Sequence, residues 1–190
     1  MTASRRAELV LSQLMIGDVV GAEIGVYRGK MSAVLLKRPN LTLYMVDNWK
    51  PVAGLEEAGY NAADQLQNHR IALNATAFAG ERRIVLHMNS VDAAKKIEDG
   101  TMDFVFIDAD HTYEGCKADI AAWRSKVKMG GILCGHDYDN KGYGVTQAVD
   151  EFVAENKLFL DCGDDHTWWT QPNGLSQYGF KLNNECLLSR

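Results

Sequence analysis

Long apolar runs are missing from this sequence of 190 residues. No stretch approaches the roughly 18 consecutive apolar residues that a membrane-spanning helix requires. At the N-terminus, Gln13 interrupts the first short apolar run, and no convincing cleavage site of a signal peptide is present. We therefore expect no membrane partner, no secretion signal and a cytoplasmic location.

Cysteine and proline are also scarce. The four cysteines lie far apart with no Cys-x-x-Cys pair, and only three prolines occur. This spacing is not typical of a small secreted disulfide scaffold, which favours a reducing compartment. No linker, repeat or low-complexity tract divides the chain, so we expect one domain over residues 1–190.

Runs of positive charge are absent as well. The 20 Lys and Arg residues are outnumbered by 25 Asp and Glu residues, which gives a net charge of −5. General binding to a phosphate backbone needs clustered positive charge, so nucleic acid is not expected as the main partner.

What the sequence does contain is an alternation of strand and helix patterns. Strands are predicted at 19–24, 41–46, 83–88, 103–107 and 132–134, and helices at 5–15, 31–37, 61–78, 91–97, 113–127 and 145–153. The nearly continuous apolar strands indicate a parallel sheet with helices on both faces. Residues 158–160, 167–170 and 178–182 are predicted strands of an antiparallel C-terminal hairpin within 158–190. The fold class is therefore a doubly wound, mostly parallel α/β sheet.

The first strand ends in a glycine-containing turn, Glu23-Ile-Gly25-Val-Tyr27-Arg-Gly29. Glycines there permit a tight turn and close approach of a ligand to the backbone, although an ordinary strand-to-helix turn has the same pattern. Asp47, 22 residues after Gly25, ends the second strand. Its carboxylate is placed to bind a ribose diol, or else to be solvated. The Gly-x-Gly-x-x-Gly dinucleotide pattern is absent.

A second set of polar residues follows the fourth and fifth parallel strands: Asp108, Asp110 and His111 after one, His136 and Asp137 after the other. Strands in this order are expected to be neighbours, so these groups can meet and hold a divalent cation. The reference pKa of histidine lies near neutrality, so His111 is a candidate general base. Taken singly, His111 is as readily structural as functional, and His136 is more readily structural; the cluster favours function.

Two features carry two interpretations each. Ser90, after the third strand, either contacts a purine or caps the helix that follows. Residues 48–60 form either a lid over the strand ends or a plain surface loop. The N-terminal helix lies within residues 1–18.

Residues 19–152 resemble the class I S-adenosylmethionine-dependent methyltransferases, which have a Rossmann-like, seven-stranded sheet. Residues 22–29 are similar to the first motif of small O-methyltransferases of the catechol and caffeoyl-coenzyme A type. The run Ile107-Asp-Ala-Asp-His-Thr-Tyr, followed by Gly130-Gly131 and His136-Asp-Tyr, is similar to the macrocin-type O-methyltransferases.

This resemblance implies specific roles for the strand-end residues. The implied S-adenosylmethionine site comprises Glu23, Gly25, Tyr27 and Gly29 near the methionine half, Asp47 at the ribose, Ser90 near the adenine, and Asp108. The implied metal ligands are Asp108, His136 and Asp137, and the implied general base is His111.

Two departures from the family pattern modify these expectations. His136 stands where the family has a carboxylate, which favours manganese over magnesium or removes the metal. Only 18 residues precede the first predicted strand, so a second subunit is a candidate to complete the acceptor pocket of a homo-oligomer.

The leading hypothesis is metal-assisted O-methylation of a small-molecule hydroxyl acceptor. A metal-dependent hydrolase, a nucleotide-dependent oxidoreductase and a non-catalytic binding domain are the alternatives. The acceptor is not identified by the sequence.

Overall fold

The computed structural model describes residues 3–58 and 60–172, and this part of the chain forms one seven-stranded sheet with helices on both faces. The strands are β1 (Val19–Ile24), β2 (Leu41–Asp47), β3 (Arg83–His87), β4 (Met102–Ile107), β5 (Val127–Gly135), β6 (Leu158–Cys162) and β7 (Trp168–Pro172). The α-helices are α1 (Ala3–Ser12), α2 (Lys30–Leu35), α3 (Ala62–Ala75), α4 (Ser90–Ala94), α5 (Tyr113–Trp123) and α6 (Val145–Asn156). Short 3₁₀ turns cover Glu56–Ala58, Ala77–Arg82 and Arg124–Lys126.

The strand order is β3-β2-β1-β4-β5-β7-β6. The first five strands in this order pair in parallel, whereas β7 runs antiparallel to both β5 and β6. The predicted fold class is therefore confirmed. Chain order reverses between β1 and β4, and in such sheets ligands bind beyond the carboxyl ends of the strands at this reversal.

Side chains alternate between two apolar cores, one on each face of the sheet. Along β4, Phe104 and Phe106 pack into the core shared with α1 and α2, while Val105 and Ile107 pack into the core shared with α4, α5 and α6. Trp123 is completely buried in the latter. Both faces of the parallel strands are covered, which explains their nearly continuous apolar sequence.

Several element ends differ from the sequence prediction. Helix α3 stops at Ala75, because the Thr76 hydroxyl donates to the carbonyl of Ala72 and a 3₁₀ turn follows. Strand β5 begins at Val127 rather than after Gly131. It passes through the two glycines with a register shift against β4 and a positive φ of 77° at Gly130. Val127, predicted as the last residue of the helix over 113–127, therefore belongs to the sheet.

The last strand predicted from the sequence, residues 178–182, lies outside the described residues. Within the described part, every helix is too short or too polar to cross a lipid bilayer.

Helix α1 packs through the buried Ala7 and Val10 against the face of the sheet that also carries α2. This placement brings the first turns of α1 to the edge of the sheet where β1 and β4 end.

Candidate active site

The turn after β1 brings two strand ends into direct contact. Gly25 has a φ of 92°, and a Cβ atom at this position would overlap the backbone carbonyl of Asp108. The Asp108 amide donates to the Ile24 carbonyl at 2.7 Å, so the turn after β4 is fixed to the end of β1. Gly25 is therefore required for the close approach of these two strand ends, while the predicted approach of a ligand to this turn stays a prediction.

Glu23 lies buried at the end of β1, with 3% of its surface exposed. The Ser32 hydroxyl on α2 donates to its Oε2 atom. Burial raises the pKa of Glu23 to about 8, although the hydrogen bond from Ser32 acts to lower the pKa. A buried carboxyl group of this kind is stabilised in its ionised form by a nearby cation, which suits the ammonium group of an amino-acid ligand.

Asp47 connects the ends of β1 and β2. Its Oδ2 atom accepts hydrogen bonds from the amides of Val26 and Tyr27 at 3.0 and 2.8 Å, and its Oδ1 atom accepts from the amide of Trp49 at 2.8 Å. A carboxylate has about four acceptor positions, so these amides leave room for one further donor, such as a ribose hydroxyl. The same bonds hold Tyr27 at a positive φ of 53°.

Gly29 and Ser90 occupy the margins of this region. Gly29 precedes α2 in the left-handed conformation, with φ of 68°, and a Cβ there would press against Ala72 of α3. Ser90 begins α4 but does not cap it; Asn89 does, through its side-chain oxygen. The Ser90 hydroxyl instead accepts a hydrogen bond from the Trp123 indole at 2.9 Å, and it also hydrogen-bonds the buried Asp119.

His111 stands between two carboxylates from neighbouring strands, as the sequence predicted. Its Nε2 atom lies 3.3 Å from Asp108 Oδ1 and 3.1 Å from Asp137 Oδ2. These three residues form the one group within the described part of the chain that offers three potential metal-ligand atoms within 4.8 Å of one another. Asp110, by contrast, is exposed and accepts the amide hydrogen bond of Thr112 at the start of α5.

His136 and Asn140 contact the far side of this cluster through Asp137. The His136 Nδ1 atom lies 3.0 Å from Asp137 Oδ2, and the Asn140 amide donates to Asp137 Oδ1 at 3.1 Å. His136 thus touches a predicted ligand, while His111 completes the group of three. Asp137 itself adopts a left-handed φ of 61°, a conformation that Asp tolerates better than most residues.

The electrostatics of the cluster favour the protonated form of His111 and the ionised form of Asp137. Hydrogen bonds that His111 donates to Asp108 and Asp137 raise its pKa to about 9. Burial acts to raise the pKa of Asp137, but hydrogen bonds from His111, His136 and Asn140 hold it well below its usual value. Without a ligand, His111 is therefore an imidazolium between two carboxylates at neutral pH.

Two contributors to this site were not predicted from the sequence. Arg6 on α1 donates from Nη1 to Asp108 Oδ2 at 2.6 Å, across 102 residues of chain. The Tyr143 ring, from the loop between β5 and α6, stacks on the His111 imidazole with 4.5 Å between ring centroids. Arg6 could not be singled out because the basic residues form no cluster in the sequence. Tyr143 lies in a loop with no periodic pattern, and the only signal for it was its position a few residues after His136 and Asp137.

Aromatic side chains also line the outer rim. Tyr27 and Tyr60 stack with centroids 5.8 Å apart, and Arg28 lies 5.0 Å above the Tyr27 ring. Burial raises the pKa of Tyr60, and so do neighbouring Tyr27 and Tyr143. Segment 48–60 therefore reaches the same edge as His111, and its role as a lid stays a prediction.

Comparison with known protein families gives a match over most of the chain. A family model described as "Methyltransferase domain" matches residues 22–138, more than half of the chain. The chain belongs to this methyltransferase family. The resemblance to class I S-adenosylmethionine-dependent methyltransferases is thereby confirmed, and the hydrolase and oxidoreductase alternatives have no support. No curated protein sequence matches the chain.

Solved structures of methyltransferases share the fold. CalS11, a TDP-rhamnose 3'-O-methyltransferase of calicheamicin biosynthesis, is 14% identical, with a TM-score of 0.61 over 88% of this chain and 77% of that one. The O-methyltransferase NovP is 20% identical, with a TM-score of 0.62 over 90% and 77%. A Burkholderia thailandensis 1,6-didemethyltoxoflavin-N1-methyltransferase, solved with S-adenosylhomocysteine, is 13% identical, with a TM-score of 0.59 over 89% and 76%. Because these enzymes modify different atoms, the fold does not identify the acceptor.

Proposed function

We propose that this methyltransferase transfers the methyl group of S-adenosylmethionine to a hydroxyl oxygen of a small molecule. The observation that carries this proposal is His111, held between Asp108 and Asp137 at the point where the sheet reverses its strand order. In its neutral form, a histidine at this edge is suited to accept a proton from a hydroxyl group.

The geometry of the β1 and β2 ends supports the following assignment of cofactor-binding residues. In this proposal the turn with Gly25, Tyr27 and Gly29 lies against the methionine half of the cofactor, and the buried Glu23 binds its amino group. Asp47 retains acceptor capacity for a ribose hydroxyl. We place Ser90 near the adenine, with its hydroxyl group hydrogen-bonded to Trp123 and Asp119. Asp108 lies beside the reacting methyl group.

The proposed reaction is a direct in-line displacement. The acceptor oxygen forms a bond to the methyl carbon as the carbon–sulfur bond breaks, and the electron pair of that bond returns to sulfur. His111 takes the hydroxyl proton, and S-adenosylhomocysteine is the thioether product. Alignment of oxygen, carbon and sulfur is expected to supply much of the acceleration.

The carboxylates also fit a divalent cation. Asp108 and Asp137 offer two hard oxygen ligands, and the histidines around them make Mn²⁺ a better match than Mg²⁺. We assign the two carboxylates to the cation, with His136 positioned against Asp137. Such a cation would supply positive charge that stabilises a deprotonated hydroxyl. It would also offset the negative charge of the two carboxylates, which raise the pKa of His111, and would so favour the neutral imidazole that a base requires.

The acceptor is expected to lie against the tyrosines. Tyr143 covers the outer face of His111, and both Tyr143 and Tyr27 are substantially exposed. Exposed aromatic rings beside a catalytic group bind the flat face of a ring-shaped molecule, whether aromatic or a sugar. A small-molecule acceptor is therefore the proposed partner.

Calorimetric titration tests the cofactor part of this proposal. S-adenosylhomocysteine is expected to bind with micromolar affinity, whereas NAD, used as a matched nucleotide control, is not. Absence of S-adenosylhomocysteine binding by folded protein would contradict the proposal. Methyl transfer from labelled cofactor to a panel of phenols and sugars, with Mn²⁺ or a chelator, then tests the acceptor atom and the cation.

A further inference from the structure

Helix α1 contributes a guanidinium group to the centre of the site. Arg6 Nη1 contacts Asp108 Oδ2 at 2.6 Å, and the side chains are 25% and 18% exposed. An ion pair at this depth is partly shielded from water, so it is worth more than a surface pair. Helix α1 is anchored by Ala7, the neighbour of Arg6, which is completely buried. The packing of α1 therefore places the backbone of Arg6 within reach of Asp108.

Only part of the hydrogen-bonding capacity of Arg6 is used. The contact with Asp108 involves Nη1, and within the described residues the structure records no hydrogen bond from Nε or Nη2. A guanidinium carries five N–H groups in a planar fork that matches a carboxylate in bidentate geometry. Arg6 therefore presents unused donors while it stays on Asp108.

Arg6 also lies near the end of β1. Its positive charge acts on Glu23, where it lowers the pKa against the larger effect of burial. Arg6 and Glu23 thus provide a cationic and an acidic group near the same strand end, since Arg6 contacts Asp108 and the Asp108 amide donates to the carbonyl of Ile24. An α-amino acid carries the complementary pair, an ammonium and a carboxylate, on a single carbon.

We propose that Arg6 binds the carboxylate of the cofactor's amino-acid part, opposite Glu23 at its ammonium group. This inference rests on the proposed function, since it requires an S-adenosylmethionine site at the β1 turn. The same guanidinium would bind an acidic group on the acceptor, so the two carboxylate sources must be separated by experiment. Because Arg6 also contacts Asp108, it links cofactor binding to the reacting centre.

Two ligands that differ in the amino-acid part provide the test. S-adenosylhomocysteine carries the carboxylate, whereas 5'-methylthioadenosine retains the nucleoside and thioether but lacks the amino acid. Arg6→Ala is expected to weaken S-adenosylhomocysteine binding by about 10- to 100-fold, as for loss of charge-assisted hydrogen bonds, and to leave 5'-methylthioadenosine binding unchanged. Arg6→Lys should lose less, because a point charge replaces the fork. Arg5→Ala, an exposed arginine on the same helix, is the matched control and should bind both ligands normally.

Each remaining outcome is decisive. Equal weakening of both ligands would mean that Arg6 acts through the structure of the site, and the proposal would be wrong. Unchanged S-adenosylhomocysteine binding in Arg6→Ala would also overturn it, and a raised KM for acidic acceptors in that variant would assign the guanidinium to the acceptor. Failure of the wild-type protein to bind S-adenosylhomocysteine is a different result, which refutes the proposed function itself.

Discussion

Among single residues, His111 can act either as a proton acceptor or as a metal ligand, but not as both at once. Its Nε2 atom faces both Asp108 and Asp137. A ligand nitrogen bound to a cation has no lone pair left for a proton. Under the proposed function Nε2 is the base.

His111→Ala tests this assignment. Turnover is expected to fall by about 10²- to 10⁴-fold, the usual range for removal of a general base, while affinities for S-adenosylhomocysteine and Mn²⁺ stay within a factor of about two. Single-turnover kinetics and calorimetry measure the three quantities. A large loss of Mn²⁺ affinity would make His111 a metal ligand, and a large loss of cofactor affinity would move it into the cofactor site.

The strand-end site could be predicted from sequence because parallel strands bring their carboxyl ends to one edge. That rule placed Asp108, His111 and Asp137 together without knowledge of any distance. Arg6 could not be predicted by this rule, because it lies on a helix and contacts Asp108 across 102 residues of chain. The packing of α1, not a local pattern, determines where its guanidinium lies.

At the scale of secondary-structure elements, the junction of β1 and β4 depends on one glycine. Gly25 is both left-handed, with φ of 92°, and in contact with the Asp108 carbonyl, whereas Gly54 has a similar φ of 82° with open space around it. Substitutions at these two glycines therefore separate the energetic cost of backbone strain from the cost of steric overlap.

Gly25→Ala is expected to reduce the free energy of unfolding by more than about 3 kcal/mol, because strain and a backbone clash add. Gly54→Ala should cost only about 1 kcal/mol, from strain alone. Urea denaturation of both variants measures the difference. Similar losses at the two positions would show that the close approach of the strand ends adds little.

The loop between β5 and α6 positions His111 through stacking. Its Tyr143 ring lies within 21° of parallel to the imidazole, and the amide of Gly144 donates to the His111 carbonyl at 2.8 Å. The sequence predicted the flanking strand and helix but not this loop, since its conformation depends on left-handed residues such as Asp137 and Asp139.

Tyr143→Ala is expected to lower kcat/KM for the acceptor by about 2- to 10-fold, the value of one aromatic contact. Tyr143→Phe keeps the ring and should keep the activity. Cofactor affinity should be unchanged in both variants when measured by calorimetry. Loss of activity in the phenylalanine variant would assign the role to the hydroxyl group instead of to the ring.

For the whole molecule, the buried carboxyl group of Glu23 couples folding to pH. The folded protein holds this proton up to a pKa of about 8, whereas the unfolded chain releases it near the ordinary value of 4.5. Between these values the folded state binds more protons than the unfolded state, so stability falls as pH rises. Below 4.5 both states are protonated and above 8 both are ionised, so the group adds no slope outside this window.

Comparison with Glu23→Gln isolates this effect, because glutamine stays neutral and is about the same size. Across the window, the free energy of unfolding of the wild-type protein should fall relative to that of the variant by up to about 1.4 kcal/mol per pH unit. Urea denaturation at several pH values from 4 to about 9 measures the difference, and Glu155→Gln on the exposed face of α6 serves as the control. Parallel curves for wild type and Glu23→Gln would mean that Glu23 is ionised in the folded protein. Its negative charge would then be balanced by Arg6 before any cofactor binds.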